Sequence, residues 1–276
     1  MPVVSPSCTD VLLMLTWPLT AWLVVAAAVQ DVPPSTAQHG AFAFADQTGT
    51  RLLVTSEPVA ENIGTALCAG AGRVPVGFDR RQSGRPDRPR QTPRHFDDLT
   101  GSVFRLAAGR VDAGETCFLA TDAFLAGTTV IPVRPGEDAA CAIAARRQLE
   151  SSRERSIVNC WIIGLLDKDR QIVLVEFERR GKDALASVVL MDGGRSIFAD
   201  LAAEYRGAGQ ELWRAGDDGV LSPAGFHVVC VLQRGTFRAL AVSWSGEEGE
   251  SVSLFVAETG SEFRPVIRDY WYRAPR

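Results

Sequence analysis

Apolar residues in this chain fall into short runs or period-two alternation, each stopped by Gly, Asp or Pro, the pattern of strands joined by tight turns. Residues 41–57, AFAFADQTGTRLLVTSE, predict two short strands around a turn at Gln47-Thr48-Gly49. SVFRLAA, ETCFLAT and TTVIPV, which begin at residues 102, 115 and 128, continue the theme. IVNCWIIGLL at 157–166 is apolar on both faces and predicts a central strand. Asp167-Lys168-Asp169 then turns the chain into QIVLVEFER, where Val173, Val175 and Phe177 share one face and Leu174, Glu176 and Glu178 the other. Further strands follow at DALASVVLM, FHVVCVLQ, TFRALAVSW and SVSLFVAE, with IFADLAAEYRG (197–207) read as a strand running into a helical turn. Turns at Asp192-Gly193-Gly194, Arg234-Gly235 and residues 246–250 separate them without room for crossover helices, which favours antiparallel pairing.

One segment breaks the period. EDAACAIAARRQLESSRER, residues 137–155, predicts an amphipathic helix with Glu137 and Asp138 in its first turn and Cys141, Ala145 and Leu149 on one face. Arg146 and Glu150 stand one turn apart on another face, spaced to pair. The fold expected is mainly β, an antiparallel sandwich or a curved meander sheet with this one helix; α+β is the alternative.

Residues 79–95, DRRQSGRPDRPRQTPRH, carry six arginines and three prolines and no apolar period. They predict an exposed loop or linker spanning 79–98, which would part a first β-rich segment (41–78) from a main β-rich domain (99–276). A polyanion contact is the alternative role for those arginines.

Composition narrows the class. The 276 residues are 46% hydrophobic and 22% charged with net charge -4, which excludes a disordered chain and argues against electrostatic nucleic-acid binding. Residues 11–30, VLLMLTWPLTAWLVVAAAVQ, carry no charge and end in Ala26-Ala27-Ala28, the small-residue pattern of a signal-peptidase site. Residues 1–28 are read as a signal peptide, with an uncleaved anchor as the alternative, followed by a flexible segment at 29–40. Pro18 speaks against a buried core helix, whereas Asp10 and the lack of Lys or Arg before residue 11 are atypical of a leader. Membrane contact is expected only through residues 11–30, if they stay uncleaved.

Cys68, Cys117, Cys141, Cys160 and Cys230 remain after that cleavage, enough for two disulfides and one spare thiol in an oxidising compartment. Their pairing is open. No C-x-x-C, G-x-S-x-G, P-loop or H-E-x-x-H stands in the chain, and no cofactor is expected. His39 and His95 fall in segments that read as mobile, and His227 shares a strand face with Val229 and Val231, as a structural histidine would. His227 and Cys230, three apart in a strand, would point to opposite faces. Glu176 and Glu178, about 6.6 Å apart by strand rise, approach the spacing of a glycosidase carboxylate pair. Arg179 and Arg180 beside them suit a solvated charged face instead. Glu247, Glu248 and Glu250 form an acidic turn with, at most, weak calcium affinity. Tyr270-Trp271-Tyr272 is a candidate stacking platform for sugar rings, although large aromatics more often fill cores.

The expectation is an exported, non-catalytic β-rich protein that binds or scaffolds in the cell envelope or outside it, with a glycan or another envelope component as partner. A secreted polysaccharide hydrolase using Glu176 and Glu178 is the first alternative. A membrane-anchored sensor domain, with residues 31–276 outside the cytoplasm, is the second.

Overall fold

The computed structural model describes residues 39–56, 59, 62–85, 90–204, 221–246 and 249–273. The expected signal segment therefore lies outside the described residues. What is described is mostly β, in several antiparallel sheets with little helix.

The first six strands close a barrel. They are β1 (Gly40–Ala45), β2 (Arg51–Val54), β3 (Thr65–Cys68), β4 (Gly72–Gln82), β5 (Gly101–Leu106) and β6 (Thr116–Ala120). Their order around the barrel is β1-β2-β5-β4-β3-β6, in which β3 to β6 form a Greek key. The sequence GAFAFA shows how one strand serves two cores. Ala41, Ala43 and Ala45 point inward with Leu52, Val54, Val76, Phe104 and Leu119, the small side chains of β1 offsetting larger ones in the narrow interior of a six-stranded barrel. Phe42 and Phe44 point outward, yet they are equally buried because a sheet covers them. Gly40 (φ +139°) sits where the barrel turns so tightly that a β-carbon would strike the Leu119 carbonyl. Cys68 and Cys117, directly opposed on β3 and β6, form a disulfide inside the barrel.

That covering sheet has the order β16-β15-β14-β13-β7. Its strands are β7 (Thr129–Ile131), β13 (Phe226–Arg234), β14 (Phe237–Ser245), β15 (Gly249–Ala257) and β16 (Arg264–Tyr272). On the barrel side Val229, Leu232, Ala241, Leu254 and Trp271 pack on Phe42, Phe44 and Phe118. On the other side Val228, Val231, Leu240, Val242 and Phe255 meet a second sheet, through its Ile172, Leu174, Val188 and Leu190. The second sheet is a meander ordered β12-β11-β10-β9-β8. It comprises β8 (Arg134–Ala140), β9 (Ile157–Leu165), β10 (Arg170–Phe177), β11 (Asp183–Asp192) and β12 (Arg195–Glu204). Helix α1 is a single turn, Asp122–Leu125, whereas α2 (Ile143–Arg153) lies on the outer face of the meander. There Ala145 and Leu149 pack on Val173, Val175 and Phe177. The layers run barrel, sheet, sheet, helix.

Several expectations change. The helix starts at Ile143, six residues later than the sequence pattern placed it. Glu137 and Asp138 take positive φ (53° and 52°), which no helix tolerates, and form a bulge in β8. Cys141 is tied to Cys160 by a second disulfide, which holds the end of β8 on β9. Arg146 and Glu150 do not pair with each other; both bind the Ile157 backbone, at 2.7 and 3.0 Å. The arginine-rich stretch is not a linker throughout. β4 runs to Gln82, whose amide donates to the Phe96 and Leu99 carbonyls at 2.7 and 2.8 Å, and a 3-10 turn at Pro93–Asp98 buries Phe96. The barrel needs β5 and β6, so the first β unit extends well past residue 99. β12 runs as the expected strand to Glu204, and the end of the 197–207 segment, where a helical turn was expected, lies outside the described residues.

Candidate functional site

The expected carboxylate pair does not assemble. Glu176, half-buried on β10, accepts a 2.7 Å hydrogen bond from the amide of Asn159, its ladder partner on β9. Glu178 lies beyond the end of β10 with its side chain in solvent; its backbone binds Ser156 and the Arg155 guanidinium. The spacing argument required both on one strand.

The aromatic run divides between two faces. Trp271 is 0% exposed, with its ring 5.5 Å from Phe44 in an edge contact. It is core, as large aromatics in strands commonly are. Tyr270 and Tyr272 point the other way and are 42% and 47% exposed. Strand register continues Tyr270 into a row across the sheet: Tyr270 opposes Ser251, Ser251 opposes Trp244, and Trp244 opposes Phe226. Trp244 is half-buried and lies flat on Phe226, centroids 5.2 Å apart and planes 12° from parallel. The phenol end of Tyr270 lies over Gly249, where a β-carbon would come within 2.5 Å of its Oη. Glycine at 249 is required first by the Trp271 carbonyl, 2.3 Å from such a β-carbon, and it also leaves room for the Tyr270 ring. Tyr272 is braced by its neighbours. Its N–H donates to Gln91 Oε1 at 2.7 Å, its carbonyl accepts the Gln91 N–H at 2.8 Å, and the Arg90 guanidinium stands 5.7 Å from its ring centroid. The result is a row of Tyr270, Ser251 and Trp244 across the sheet, a shelf whose Trp244 end packs against the core between the two sheets, with Tyr272 and Arg268 two residues either side of Tyr270 on its strand.

A separate cleft of about 310 Å³ opens where the barrel meets the covering sheet. The β3–β4 turn and the β5–β6 loop supply Gly70, Asp112 and Glu115; the sheet supplies His227, Ser243 and Glu250. Glu115 fixes the rim by accepting the Gly70 N–H at 2.7 Å and the Asp112 N–H at 3.0 Å. Glu250 is not part of a solvated acidic turn. It is 2% exposed, accepts the Thr116 hydroxyl at 2.6 Å and lies 2.6 Å from Arg273 Nη1. The Arg273 guanidinium in turn sits 4.8 Å from the Trp271 ring and 5.2 Å from that of Phe44. Glu247 and Glu248 lie outside the described residues.

His227 is exposed at the cleft and directly opposes Ser243. It does not share a face with Val231, because a bulge between Val228 and Cys230 interrupts the alternation. The same bulge puts Val229 and Cys230 together on the barrel side. Cys230 is the one free cysteine among the described residues, and burial pushes its thiol up to about 12, so it is neither nucleophile nor ligand at neutral pH. His39 is buried against Phe124, and His95 Nδ1 lies 3.0 Å from the Thr92 hydroxyl in the 3-10 turn. Ser243 carried no signal in the sequence and Glu250 only that of an acidic turn, since strand register and the stacking of barrel on sheet are what bring them to one place. Among the described residues no group of three His, Cys, Asp or Glu converges as a metal site.

Two internal disulfides suggest an oxidising, exported environment, and no described helix is long and apolar enough to cross a membrane. This two-disulfide barrel-and-sandwich chain matches no family model, no curated protein and no solved structure.

Proposed function

We propose that the protein is an exported, non-catalytic carbohydrate-binding protein of the cell envelope or extracellular space. The observation that carries this reading is the shelf in which Tyr270 lies over Gly249, in ladder register with Ser251 and Trp244. An aromatic ring laid flat offers an apolar plate to the C–H face of a pyranose, and a serine hydroxyl between two such rings can bond the ring substituents. Described carboxylates are not part of the row, so the preference is for neutral or anionic glycans, with Arg268 at the edge. The disulfides fit an oxidising compartment outside the cytoplasm.

The test is a pull-down and calorimetric titration against cellulose, chitin, peptidoglycan and soluble β-glucans. Tyr270→Ala should weaken binding about tenfold, roughly 1.4 kcal/mol, without moving the thermal midpoint by more than a degree or two. No reducing ends should be released. Absence of binding across the panel, or equal binding by Tyr270→Ala, would refute the reading.

A further inference from the structure

We infer that the open edge of β8, together with the start of α2, is the interface of a symmetric dimer, its occupant a second copy of this chain. The other outer edges of the two stacked sheets are closed by the fold itself. On β12 the N–H and carbonyl of Phe198 are taken by Ser261 and Phe263. On β16 Gln91 binds the Tyr272 backbone and the Asp269 carboxylate accepts the Tyr270 N–H. β7 is only three residues long. β8 ends the strand order of its sheet, and among the described residues no strand pairs with its far side. An open edge recruits another chain unless charge, proline or a cover blocks it. Pro135 and the bulge at Glu137-Asp138 guard the first half of β8, but the second half is bare. Ala139, Ala140, Ala142 and Ala144 are exposed, and Ile143 is 70% exposed. Val158, as far before Cys160 as Ile143 is after Cys141, is 51% exposed. The other large hydrophobic side chains exposed among the described residues are the two tyrosines of the shelf.

Self-complementarity selects the occupant. The Cys141 N–H points inward to the Cys160 carbonyl at 3.1 Å, so strand alternation turns the N–H groups of Ala140 and Ala142 outward. When two such ends pair antiparallel about a two-fold axis at Cys141, the Ala142 N–H of each copy meets the Ala140 carbonyl of the other. In that register Ala139 lies opposite Ile143 of the second copy, and the acidic bulge arrives at the first turn of its α2. That turn lacks what the acids supply. Its N-cap, Ala142, has no side-chain acceptor, and the turn contains no acidic residue to meet the positive end of the helix dipole. Arg147, exposed and one turn on from Ala144, adds a cation on the same side. Glu137, Asp138 and Arg147 form no ion pair among the described residues. Acids at one end of the edge, with a bare helix N-terminus and an arginine at the other, match themselves when reversed, as an isologous interface requires.

The inference does not rest on the carbohydrate reading, whose shelf belongs to the other sheet. It is tested by sedimentation velocity of the full chain up to about 100 µM, where an interface of modest affinity fills. The expected result is a monomer giving way to a dimer and to nothing larger. Ile143→Glu, at an exposed position, should weaken the dimer at least tenfold with an unchanged thermal midpoint. Asp138→Arg should weaken it as well, and adding Arg147→Asp should restore most of that loss by exchanging the charges. Should Asp138→Arg fail to fold, Ile143→Glu decides alone. A wild type that stays monomeric at the highest concentration, leaving the edge to a different partner, would overturn the inference. So would a polymer that grows past the dimer, or a double variant no tighter than Asp138→Arg. Undiminished association in Ile143→Glu would also overturn it, because the contact would then lie elsewhere, as through residues 11–30.

Discussion

Replacing Glu250 with Gln keeps the shape of the side chain and an acceptor for Thr116, but removes the charge opposite Arg273. Both partners are almost fully buried, at 3% and 9% side-chain exposure, and their closest atoms are 2.6 Å apart. A pair at that depth behaves unlike a surface ion pair, because the surviving guanidinium, set between the Trp271 and Phe44 rings, loses a buried carboxylate 2.6 Å away. Breaking such a pair from one side costs about 3–5 kcal/mol. In a chain of this size that corresponds to a fall of the thermal midpoint by roughly 6–20 °C. The assay is urea unfolding of the wild type, Glu250→Gln, Arg273→Met and the double variant, with the slope checked for two-state behaviour. Each single variant should lose at least 3 kcal/mol on the scale of that estimate. The double variant should lose less than the sum of the two, since neither charge is then stranded. A loss below about 1 kcal/mol in Glu250→Gln, the range of an exposed pair, would refute the burial argument.

Two further outcomes follow from titrating groups. Burial raises the pKa of Asp46, but hydrogen bonds from the Arg51 side chain, the Thr48 hydroxyl and the Arg51 and Thr50 N–H groups outweigh it and hold the carboxyl below its ordinary value of 3.8. A depressed acid stabilises the fold above its unfolded pKa, so this contribution is intact at neutral pH and is lost as pH falls below 3.8 toward the lower folded value. Asp46→Asn should therefore destabilise at pH 7 and cost little near pH 2, as read by thermal midpoints; an equal cost at both would contradict the assignment. Cys230, with its thiol pushed up to about 12 beneath the barrel, should resist iodoacetamide in the folded protein and react only in denaturant. Peptide mass mapping that finds Cys230 alkylated under native conditions would show the thiol is reachable.

The local elements were legible where one residue type has one structural meaning. Asp167 forms the hairpin turn read from Asp167-Lys168-Asp169, capping the Asp169 and Arg170 N–H groups with a single oxygen. The candidate cysteines resolve into two disulfides and a buried thiol. The alternation through Val173, Val175 and Phe177 faces α2, and Cys141, Ala145 and Leu149 gather in the cluster beneath that helix. What sequence did not disclose is which strands close on which. Nothing in GSVFRL or TCFLA says that they complete a barrel begun sixty residues earlier, because that depends on long-range pairing rather than local period. The alternation of Ala and Phe in GAFAFA held a trace of it, small inside and large outside, but the outer Phe face has meaning only once a second sheet is present. Glu250 misled for a related reason: in sequence it belongs to a run of acids at a turn, and in space it lies beside Arg273 and Thr116. Gly136 marks the bulge at Glu137-Asp138, though it fits a loop before a helix equally well, whereas the bulge at Val229 shifts alternation with no glycine beside it.

The sheet of β13 to β16 serves as a wall shared by two cores, and this sets an order on assembly. Every strand of the barrel has been made by residue 120, yet Phe42, Phe44 and Phe118 find their cover only when residues 226–272 arrive. A nascent barrel would carry a sticky aromatic face across the synthesis of some hundred residues. Threading the chain out of the cell unfolded, and letting both cores close together on the far side, would spare it that exposure. On this view the barrel has no independent existence: a chain cut short before β13 would be an aggregate in waiting, not a smaller protein.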